Sequence, residues 1–236
     1  MRKILLFLII SLWIFPLSHA LTLTQIRTEI RLRIKDSSTL RQRYTDTQIN
    51  NIINQEQRDI VNISWIIKKS TTIPLAVGST YYTLPTDTIA IHRIMLDNAN
   101  LPETTLQELD SRFNFTAWPL SYGKPDHYFQ DPSRSTQIGV YPWPNNSTST
   151  GTLSIIYFSQ GSDLSSDSDT PFNSETRYYP YHDLLIYGAC YKIFSIEGEF
   201  DKSNEYKAYY ESRLQILLAA IGNKPNFLPG FSGQRR

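Results

Sequence analysis

The sequence predicts an α+β fold: an antiparallel helical bundle, made by two N-terminal and two C-terminal helices, that carries a central β-rich insertion. Three observations predict it. Apolar residues recur every three or four positions from Leu23 to Ile67, which is the period of an amphipathic helix. From Thr71 the pattern changes to short β-prone runs that are separated by turn residues. The helical pattern returns near Tyr181 and continues to Gly222.

The first helix is expected over residues 22–36. One of its faces is apolar and is lined by Leu23, Ile26, Ile30 and Ile34. Arg27, Arg31 and Lys35 form a basic stripe beside that face. We interpret this stripe first as a solvated rim of the helix; contact with an acidic neighbour or with DNA is the alternative interpretation.

The second helix is expected to begin at Thr45, because Gln48 three residues later completes a capping box. An amphipathic helix buries its apolar face against a neighbour. The two N-terminal helices are therefore predicted to pack against each other or against the later helices. The apolar face of the second helix is made by Ile49, Ile52, Ile53, Ile60, Ile63 and Ile67.

The central part of the chain is predicted to be β-rich. Residues 71–85, TTIPLAVGSTYYTLP, contain two β-prone runs around Gly78-Ser79 and are predicted to form a hairpin. Residues 89–102 are predicted to form a strand that ends in a turn at 97–100. The remaining strands are expected in HYFQD (127–131), QIGVYPWP (137–144) and GTLSIIYF (151–158), with a polar linker over 145–151.

Two further helices have different patterns. A short helix is expected in residues 104–113, capped by Thr104 or Thr105. Residues 181–200 are apolar around most of the helical circumference, which indicates a buried helix. Cys190 lies within this segment, and we interpret it as a small buried hydrophobic residue.

The last helix is predicted over residues 201–222, with Asp201 as its cap and Gly222 as its stop. The residues that run along one side of it are Tyr206, Tyr209 or Tyr210, Arg213 or Leu214, Leu217 and Ile221. The Pro- and Gly-rich tail that follows is predicted to be extended unless a partner orders it.

The first 20 residues form a signal-like leader. Two basic residues precede an uncharged apolar run over residues 4–17, and Ser18 and Ala20 match a cleavage site that would leave Leu21 first. The run is short for a permanent membrane-spanning helix. The alternative interpretation places the start of translation at Leu21, because TTG and CTG codons are read as Met when they initiate.

These patterns divide the chain into five predicted units. They are the leader (1–20), the N-terminal helices of the bundle (21–70), the β-rich insertion (71–160), the C-terminal helices of the bundle (161–222) and the flexible tail (223–236).

Few residues point to chemistry. The net charge of +1 argues against tight binding of nucleic acid through phosphate neutralisation. No nucleotide-binding, hydrolase or zinc-protease motif is present. Residues 163–169, DLSSDSD, lack the Gly and the distal Glu of an EF-hand calcium loop, and His182-Asp183 is interpreted as an ordinary hydrogen-bonding pair. We predict no catalytic residue, no cofactor, no metal site and no small-molecule substrate, and expect that the chain is not an enzyme.

Several short segments occur in an order that resembles one family. They are TYYTLPTD (80–87), LQELD (106–110) before Trp118, GKPDHY (123–128), IGVYPWP (138–144), LSIIY (153–157) and YHDLLIYGA (181–189). On these segments, residues 22–222 resemble bacteriophage head-to-tail connector proteins, the head-tail adaptors or tail tubular protein A-like proteins.

The resemblance implies a structural virion protein. Such a protein assembles in the host cytoplasm as a ring, here expected to hold twelve subunits, between the portal protein and the tail tube or nozzle protein. The ring acts as a conduit for double-stranded DNA during packaging and ejection. A conduit must let the duplex slide, and a chain of net charge +1 suits that requirement.

The resemblance also suggests which residues contact the portal or a neighbouring subunit. In the tail we expect Phe227, Phe231, Arg235 and Arg236 to be anchors on the portal. In the first helix, Arg27, Arg31 and Lys35 are the candidates.

Two other classes remain open from the sequence. The chain is an exported, non-catalytic binding module if the leader is a genuine cleaved signal peptide, and its aromatic β-rich region would then bind a glycan or a surface partner. The second alternative is a hydrolase that uses the acidic residues near Glu197 and Glu199. It lacks a paired acid and base motif.

Overall fold

The computed structural model describes residues 20–38, 42–112, 121–144 and 151–222 of the chain. Within these residues the fold is mixed α/β, with five α-helices and two four-stranded sheets. The helices are α1 (Leu23–Arg33), α2 (Asp46–Ser64), α3 (Leu106–Arg112), α4 (Asp183–Ile196) and α5 (Phe200–Ile221). The strands are β1 (Lys68–Pro74), β2 (Tyr81–Thr83), β3 (Thr88–Leu96), β4 (Ala99–Leu101), β5 (Glu103–Thr104), β6 (His127–Gln130), β7 (Gln137–Tyr141) and β8 (Thr152–Ser159).

Capping boxes begin the first two helices, and the one predicted for α2 is confirmed. The Thr45 hydroxyl accepts a hydrogen bond from the N–H of Gln48, and the Gln48 side chain accepts one from the N–H of Thr45. Thr22 and Gln25 make the same two bonds at the start of α1. Each box satisfies N–H groups that have no acceptor inside the first turn.

Both N-terminal helices end earlier than their apolar patterns. Helix α1 ends at Arg33, and Lys35 takes a left-handed φ of 56°. Helix α2 ends before Trp65, whose φ is 51°. The predicted isoleucine face is therefore wrong at its end: Ile63 is 56% exposed, and Ile67 is buried beyond the helix.

Helix α4 lies at the centre of the helical region, which comprises α1, α2, α4 and α5. It packs against the other three helices, and most of its side chains are buried, as its apolar composition predicts. Cys190 is fully buried, and this burial raises the pKa of its thiol to about 12. The interpretation of Cys190 as a small buried hydrophobic residue is confirmed.

Helix α1 runs in the same direction as α4. The N–H of Leu21, before α1, donates to Nδ1 of His182, which precedes α4, over 3.1 Å. At the other end, Arg43 donates to the carbonyl of Ile34 and to the carboxylate of Glu197, the residues that follow α1 and α4. Starts and ends of the two helices therefore coincide.

Helices α2 and α5 run opposite to α4. Arg213, late in α5, lies 2.8 Å from the Asp183 carboxylate at the start of α4. The Tyr178 hydroxyl, just before α4, donates to the carbonyl of Ile66, just after α2, over 3.0 Å. The predicted antiparallel arrangement thus describes α2 and α5 relative to α4, but not α1.

The β-rich part forms sheet A, with strand order β1-β8-β3-β4, and sheet B, with order β2-β7-β6-β5. The predicted hairpin over residues 71–85 is wrong, because β1 pairs with β8 and β2 pairs with β7. The turn at Gly78, with φ of 75°, forms where expected. The connection over 75–80 is longer than a tight hairpin loop, and it carries the chain from one sheet to the other.

The turn predicted in residues 97–100 is confirmed. Strands β3 and β4 pair in antiparallel fashion, and Met95 lies opposite Asn100. Asp97 and Asn98 occupy the two-residue loop with φ of 48° and 69°. Two left-handed residues match the twist of the flanking strands, and Asn and Asp tolerate that conformation better than most residues.

The two sheets pack face to face as a β-sandwich. Leu153 and Ile155 of sheet A and Ile138 and Val140 of sheet B are fully buried between them. Helix α3 covers the other face of sheet B, where Leu109 contacts the cluster around β6 and β7. The β-sandwich therefore has a second small core under α3.

Residue types in the sequence also predict the starts of α3 and α5 and the end of α5. Thr105 caps α3, since its hydroxyl accepts from the N–H of Glu108 over 3.1 Å. Asp201 is not the cap of α5, because Glu199 takes that position. An acidic residue in the first turn is favoured by the helix dipole, so the same residue type fits either place. The predicted stop at Gly222, with φ of 64°, is confirmed.

None of the described helices is long and apolar enough to cross a membrane.

Candidate interaction surfaces

The basic stripe of α1 is largely committed to carboxylates of the same chain. Arg27 contacts Asp167 at 3.0 Å and Asp46 at 3.4 Å. Arg31 contacts Asp36 at 2.9 Å and the same Asp46 oxygen at 2.7 Å. The first interpretation, that the stripe is a solvated rim, is therefore wrong for Arg27 and Arg31. The alternative, contact with an acidic neighbour, is correct for both, and the acidic residues belong to the same chain.

Burial explains why the Arg31 contacts matter. The residue is 7% exposed, and a buried guanidinium needs carboxylates and further acceptors to offset the loss of water. Lys35 is the exposed member of the stripe. The intermolecular contact predicted for Arg27, Arg31 and Lys35 stays a prediction, and Lys35 is the residue with the most accessible side chain for it.

The loop over residues 163–169 straps the first two helices. Asp163 pairs with Arg58 of α2, and Asp167 pairs with Arg27 of α1. Asp169 accepts from the N–H groups of Ser165 and Ser166, and these bonds lower the pKa of its carboxyl. The acidic residues of this loop therefore have structural partners. Within the described ranges, no group of three or more His, Cys, Asp or Glu side chains is placed to hold a metal ion.

Two buried amides of α2 hold the same connection from inside. Asn54 accepts from the N–H of Leu164 at 2.8 Å and donates to its carbonyl at 3.0 Å. Gln57 donates to the carbonyl of Ser162 and accepts from the N–H of Phe172. The sequence analysis missed both residues, and their only signal was a polar side chain among the isoleucines of a helix face.

A second polar group lies between α2 and α4. The Lys192 ammonium is 2.6 Å from Glu56 and 2.9 Å from Asp59. Burial raises the pKa of the Glu56 carboxyl, and the contact with Lys192 offsets part of that rise. Gly188 leaves the room for this contact, because a Cβ at this position would overlap the Glu56 carboxylate.

The pair His182-Asp183 has a structural role, as the sequence suggested. His182 is fully buried beside Phe172, and burial lowers the pKa of its imidazole to about 4. Asp183 pairs with Arg213. A neutral His182 therefore holds the chain at the start of α1.

The acidic residues between α4 and α5 do not converge on a common site. Glu197 pairs with Arg43, and Glu199 pairs with Lys202. The most exposed large apolar side chains of the described residues flank them, Ile196 at 71% and Phe200 at 66%. This tip of the α4–α5 hairpin is therefore an apolar surface with paired charges around it.

Other large apolar side chains are exposed along the molecule. They are Leu32, Ile63, Val77, Tyr122, Tyr209 and Ile216. They lie on α1, α2, α5 and the loops of the β-sandwich, so no single element carries all of them. Scattered exposed apolar residues are common, while clusters of them mark contact surfaces.

The predicted tail anchors Phe227, Phe231, Arg235 and Arg236 lie outside the described residues. Trp118, which was part of the resemblance, lies outside them as well. Arg213, eight residues before the end of α5, lies beside Asp183 at the start of α4.

The comparison with protein families gives one match. The family model of the SU10 adaptor protein matches residues 21–227, which contain every described helix and strand. No curated protein sequence matches the chain. The matched range nearly coincides with residues 22–222, for which the short segments show the resemblance. The chain therefore belongs to the SU10 adaptor protein family, a family of bacteriophage head-to-tail adaptor proteins.

Proposed function

We propose that the protein is a structural virion component that forms a ring between the portal protein and the tail tube or nozzle protein, and that DNA passes through this ring during packaging and ejection. The observation that carries the proposal is the family match over residues 21–227. We propose a ring of twelve subunits, which assembles in the host cytoplasm, and no catalytic role.

Contact surfaces of the described residues support assembly. A ring needs a heterologous interface, in which two different patches of the chain meet. The apolar tip with Ile196 and Phe200 suits one side of such an interface, because both side chains are more than half exposed and Glu197 and Glu199 between them are already paired. A neighbouring subunit is the occupant that the proposal assigns to this tip.

Charge distribution supports the role as a conduit. Two basic residues of α1, Arg27 and Arg31, are paired with carboxylates of the same chain and are therefore not available to phosphates. Each cation neutralised in this way removes one contact from phosphate binding. Most Lys and Arg side chains of the described residues pair with carboxylates in this way, which suits passage of a duplex rather than its retention.

Electron microscopy of the purified chain from Leu21 onward tests the assembly. We expect closed rings, and their rotational symmetry gives the number of subunits. A protein that stays monomeric at high concentration and in the presence of purified portal rings would contradict the proposal.

The tail is tested separately. Deletion of residues 223–236 is expected to abolish loading onto portal rings, because Phe227, Phe231, Arg235 and Arg236 are the proposed anchors. A variant with the four anchors replaced by Ser at unchanged length is the matched control for length. Unchanged loading of both variants would show that the portal contact lies elsewhere.

The signal-like pattern of residues 1–20 favours a second candidate, an exported and non-catalytic binding module. N-terminal peptide mass spectrometry of the protein from its native source separates the candidates. A mature protein that begins at Leu21 and is recovered from the periplasm supports export. A protein that begins at the same residue and is recovered from phage particles supports the virion assignment.

A further inference from the structure

Sheet A has one face that faces away from the core of the β-sandwich, and we call it the outer face. Pairing register defines it: Ser70 and Arg93 both lie opposite Ile156, and Lys68 lies opposite Phe158. Side chains alternate between the faces of a strand, so the neighbours of Ile156 in β8 point into the sandwich. Those neighbours are buried core residues.

The outer face differs from the corresponding face of sheet B. Helix α3 covers sheet B, whereas Lys68, Ser70, Thr72, His92 and Arg93 on the outer face are all exposed. The centre of the outer face, at Ile156, is only half-buried. Protein interfaces, in contrast, usually have a fully buried apolar core. The apolar residues of the outer face include Ile156 and Phe158 of β8 and Met95 of β3, and hydroxyls and cations border them.

The cations of the outer face lack a carboxylate partner within the part of the chain that the structure describes. Among the described residues, neither Lys68 nor Arg93 makes an ion pair. The Lys68 ammonium lies over the Phe158 ring, 5.3 Å from its centroid, and Arg93 donates to the side-chain oxygen of Asn100 over 3.0 Å. Lys69 is the contrast: it lies on the opposite face of the same strand and pairs with Asp87 at 2.7 Å.

The imidazole of His92 lies near the same two cations, Lys68 and Arg93. Its ring packs against Phe158 with centroids 5.3 Å apart. Burial lowers the pKa of its imidazole, and the charges of Lys68 and Arg93 lower it further. Both charges that lower this pKa are therefore cations of the outer face, Lys68 and Arg93.

We infer that the outer face of sheet A contacts the phosphate backbone of double-stranded DNA, with Lys68 and Arg93 as the charged contacts and Ser70 and Thr72 as neutral hydrogen-bond donors. The inference rests on the proposed function, which brings a duplex past each subunit. Phosphate contacts in protein–DNA complexes come from Lys, Arg, Ser and Thr side chains, and they read no sequence.

Geometry fits this partner. Strand β8 separates the strands of Lys68 and Arg93, so the two backbones are roughly 10 Å apart across the sheet. The major groove of B-DNA is about 12 Å wide, which lets the two side chains reach phosphates on both of its sides. With two cations per subunit, each subunit binds weakly, and the duplex can move along the face.

The test measures DNA binding by the full chain against salt concentration. The probe is a fluorescently labelled duplex of random sequence, and the readout is anisotropy. The test variant is K68Q/R93Q. The matched control is R177Q/K207Q, which removes two exposed cations that pair with Glu175 and Glu211 of the same chain.

Loss of two phosphate contacts lowers the salt slope by about two units per bound subunit. Between about 50 and about 200 mM salt, the affinity of the wild type and of the control should therefore fall about tenfold more than that of K68Q/R93Q. Equal slopes for the test variant and the wild type, or no binding of the wild type at low salt, would overturn the inference.

A second readout follows the face directly. DNA should raise the pKa of His92 in the wild type, because an arriving phosphate offsets the cations beside it, and NMR titration of the imidazole measures this. If K68Q/R93Q instead loses a purified portal or tail protein while its DNA binding is unchanged, the face binds protein and the inference is wrong. Microscopy of the wild type keeps the tests apart: wild-type rings that bind no DNA contradict the inference but leave the proposed ring assembly intact.

Discussion

Among the residues that the structure describes, the helical region buries charged and amide side chains, whereas the buried residues classed as polar in the β-sandwich carry hydroxyl groups. The buried polar residues of the helical region include Arg31, Asp36, Asn54, Glu56, Gln57 and His182. Those of the β-sandwich are Thr80, Thr104 and Ser159. A buried charge or amide is tolerable only with its partners, so each one requires a particular arrangement of its neighbours.

This difference shows which kind of contact specifies a single packing arrangement in each region. In the helical region, the isoleucine faces are chemically alike, and polar contacts such as Asn54 with Leu164 determine which segment lies against which helix. In the β-sandwich, ring packing does this work, as where Phe129 lies against Gly139. The helical region should therefore respond to loss of a charge, and the β-sandwich to a change of volume.

The largest expected effect is removal of a buried ring in either region. Phe129→Ala in the β-sandwich and Phe172→Ala in the helical region each empty a fully buried site and should lower the free energy of unfolding by about 3–5 kcal/mol. Chemical denaturation measures the loss, and amide hydrogen exchange locates it. We expect Phe129→Ala to reduce protection in β6 and β7 more than in α4. Equal loss in both regions would show that they unfold as one unit and would break the comparison.

Removal of one charge should have the next largest effect. Lys192→Met leaves the buried Glu56 carboxylate without its nearest cation and should lower the free energy of unfolding by about 2–3 kcal/mol at neutral pH. The folded-state pKa of Glu56, already raised by burial, then rises further. A group with a raised folded-state pKa stabilises the fold while protonated, so the loss should shrink as the pH falls toward the unfolded value of 4.5.

The double variant Glu56→Gln/Lys192→Met is the control for this charge effect. It removes the carboxylate that the single change leaves unpaired, and it should recover most of the stability at neutral pH. Thermal denaturation at several pH values distinguishes the two variants. If the double variant is as unstable as the single one and both lack pH dependence, packing rather than charge determines this part of the helical region.

The same change, glycine to alanine, can be made at one tightly packed position in each region, which allows the two regions to be compared directly. Gly139→Ala places a Cβ against the Phe129 ring, and Gly188→Ala places one against the Glu56 carboxylate. The ring is held on all sides, while a carboxylate at the end of a flexible side chain can move. We expect a loss of about 2 kcal/mol for Gly139→Ala and about 1 kcal/mol for Gly188→Ala by chemical denaturation. The opposite order would show that the Glu56 contact is the more rigid one.

The smallest expected effect concerns the capping boxes. Thr45→Ala at α2 and Thr105→Ala at α3 should each lower the free energy of unfolding by about 1 kcal/mol, because each removes the acceptor for one N–H of the first turn. Serine at the same positions keeps the hydroxyl and should keep the stability. A serine variant as unstable as the alanine variant would assign the effect to the lost methyl group instead.

Local signals in the sequence predicted much of the fold. Thr45 and Gln48 begin α2, Asp97 and Asn98 turn β3 into β4, and Gly222 ends α5, as expected. Each of these features depends on residues within about four positions of one another, so propensity and hydrogen bonding inside one segment are enough to specify it. The resemblance in the short segments predicted the family in the same way, from the order of such elements.

By itself, the sequence thus determined the elements, their approximate limits and the family of this protein. Only the tertiary structure decided the partners: β1 with β8 rather than β2, and Arg31 with Asp36 and Asp46 rather than with water. It also decided which face of sheet A stays open. Partner choice depends on groups that are distant in the chain and meet only after folding, and no pattern within one segment contains that information.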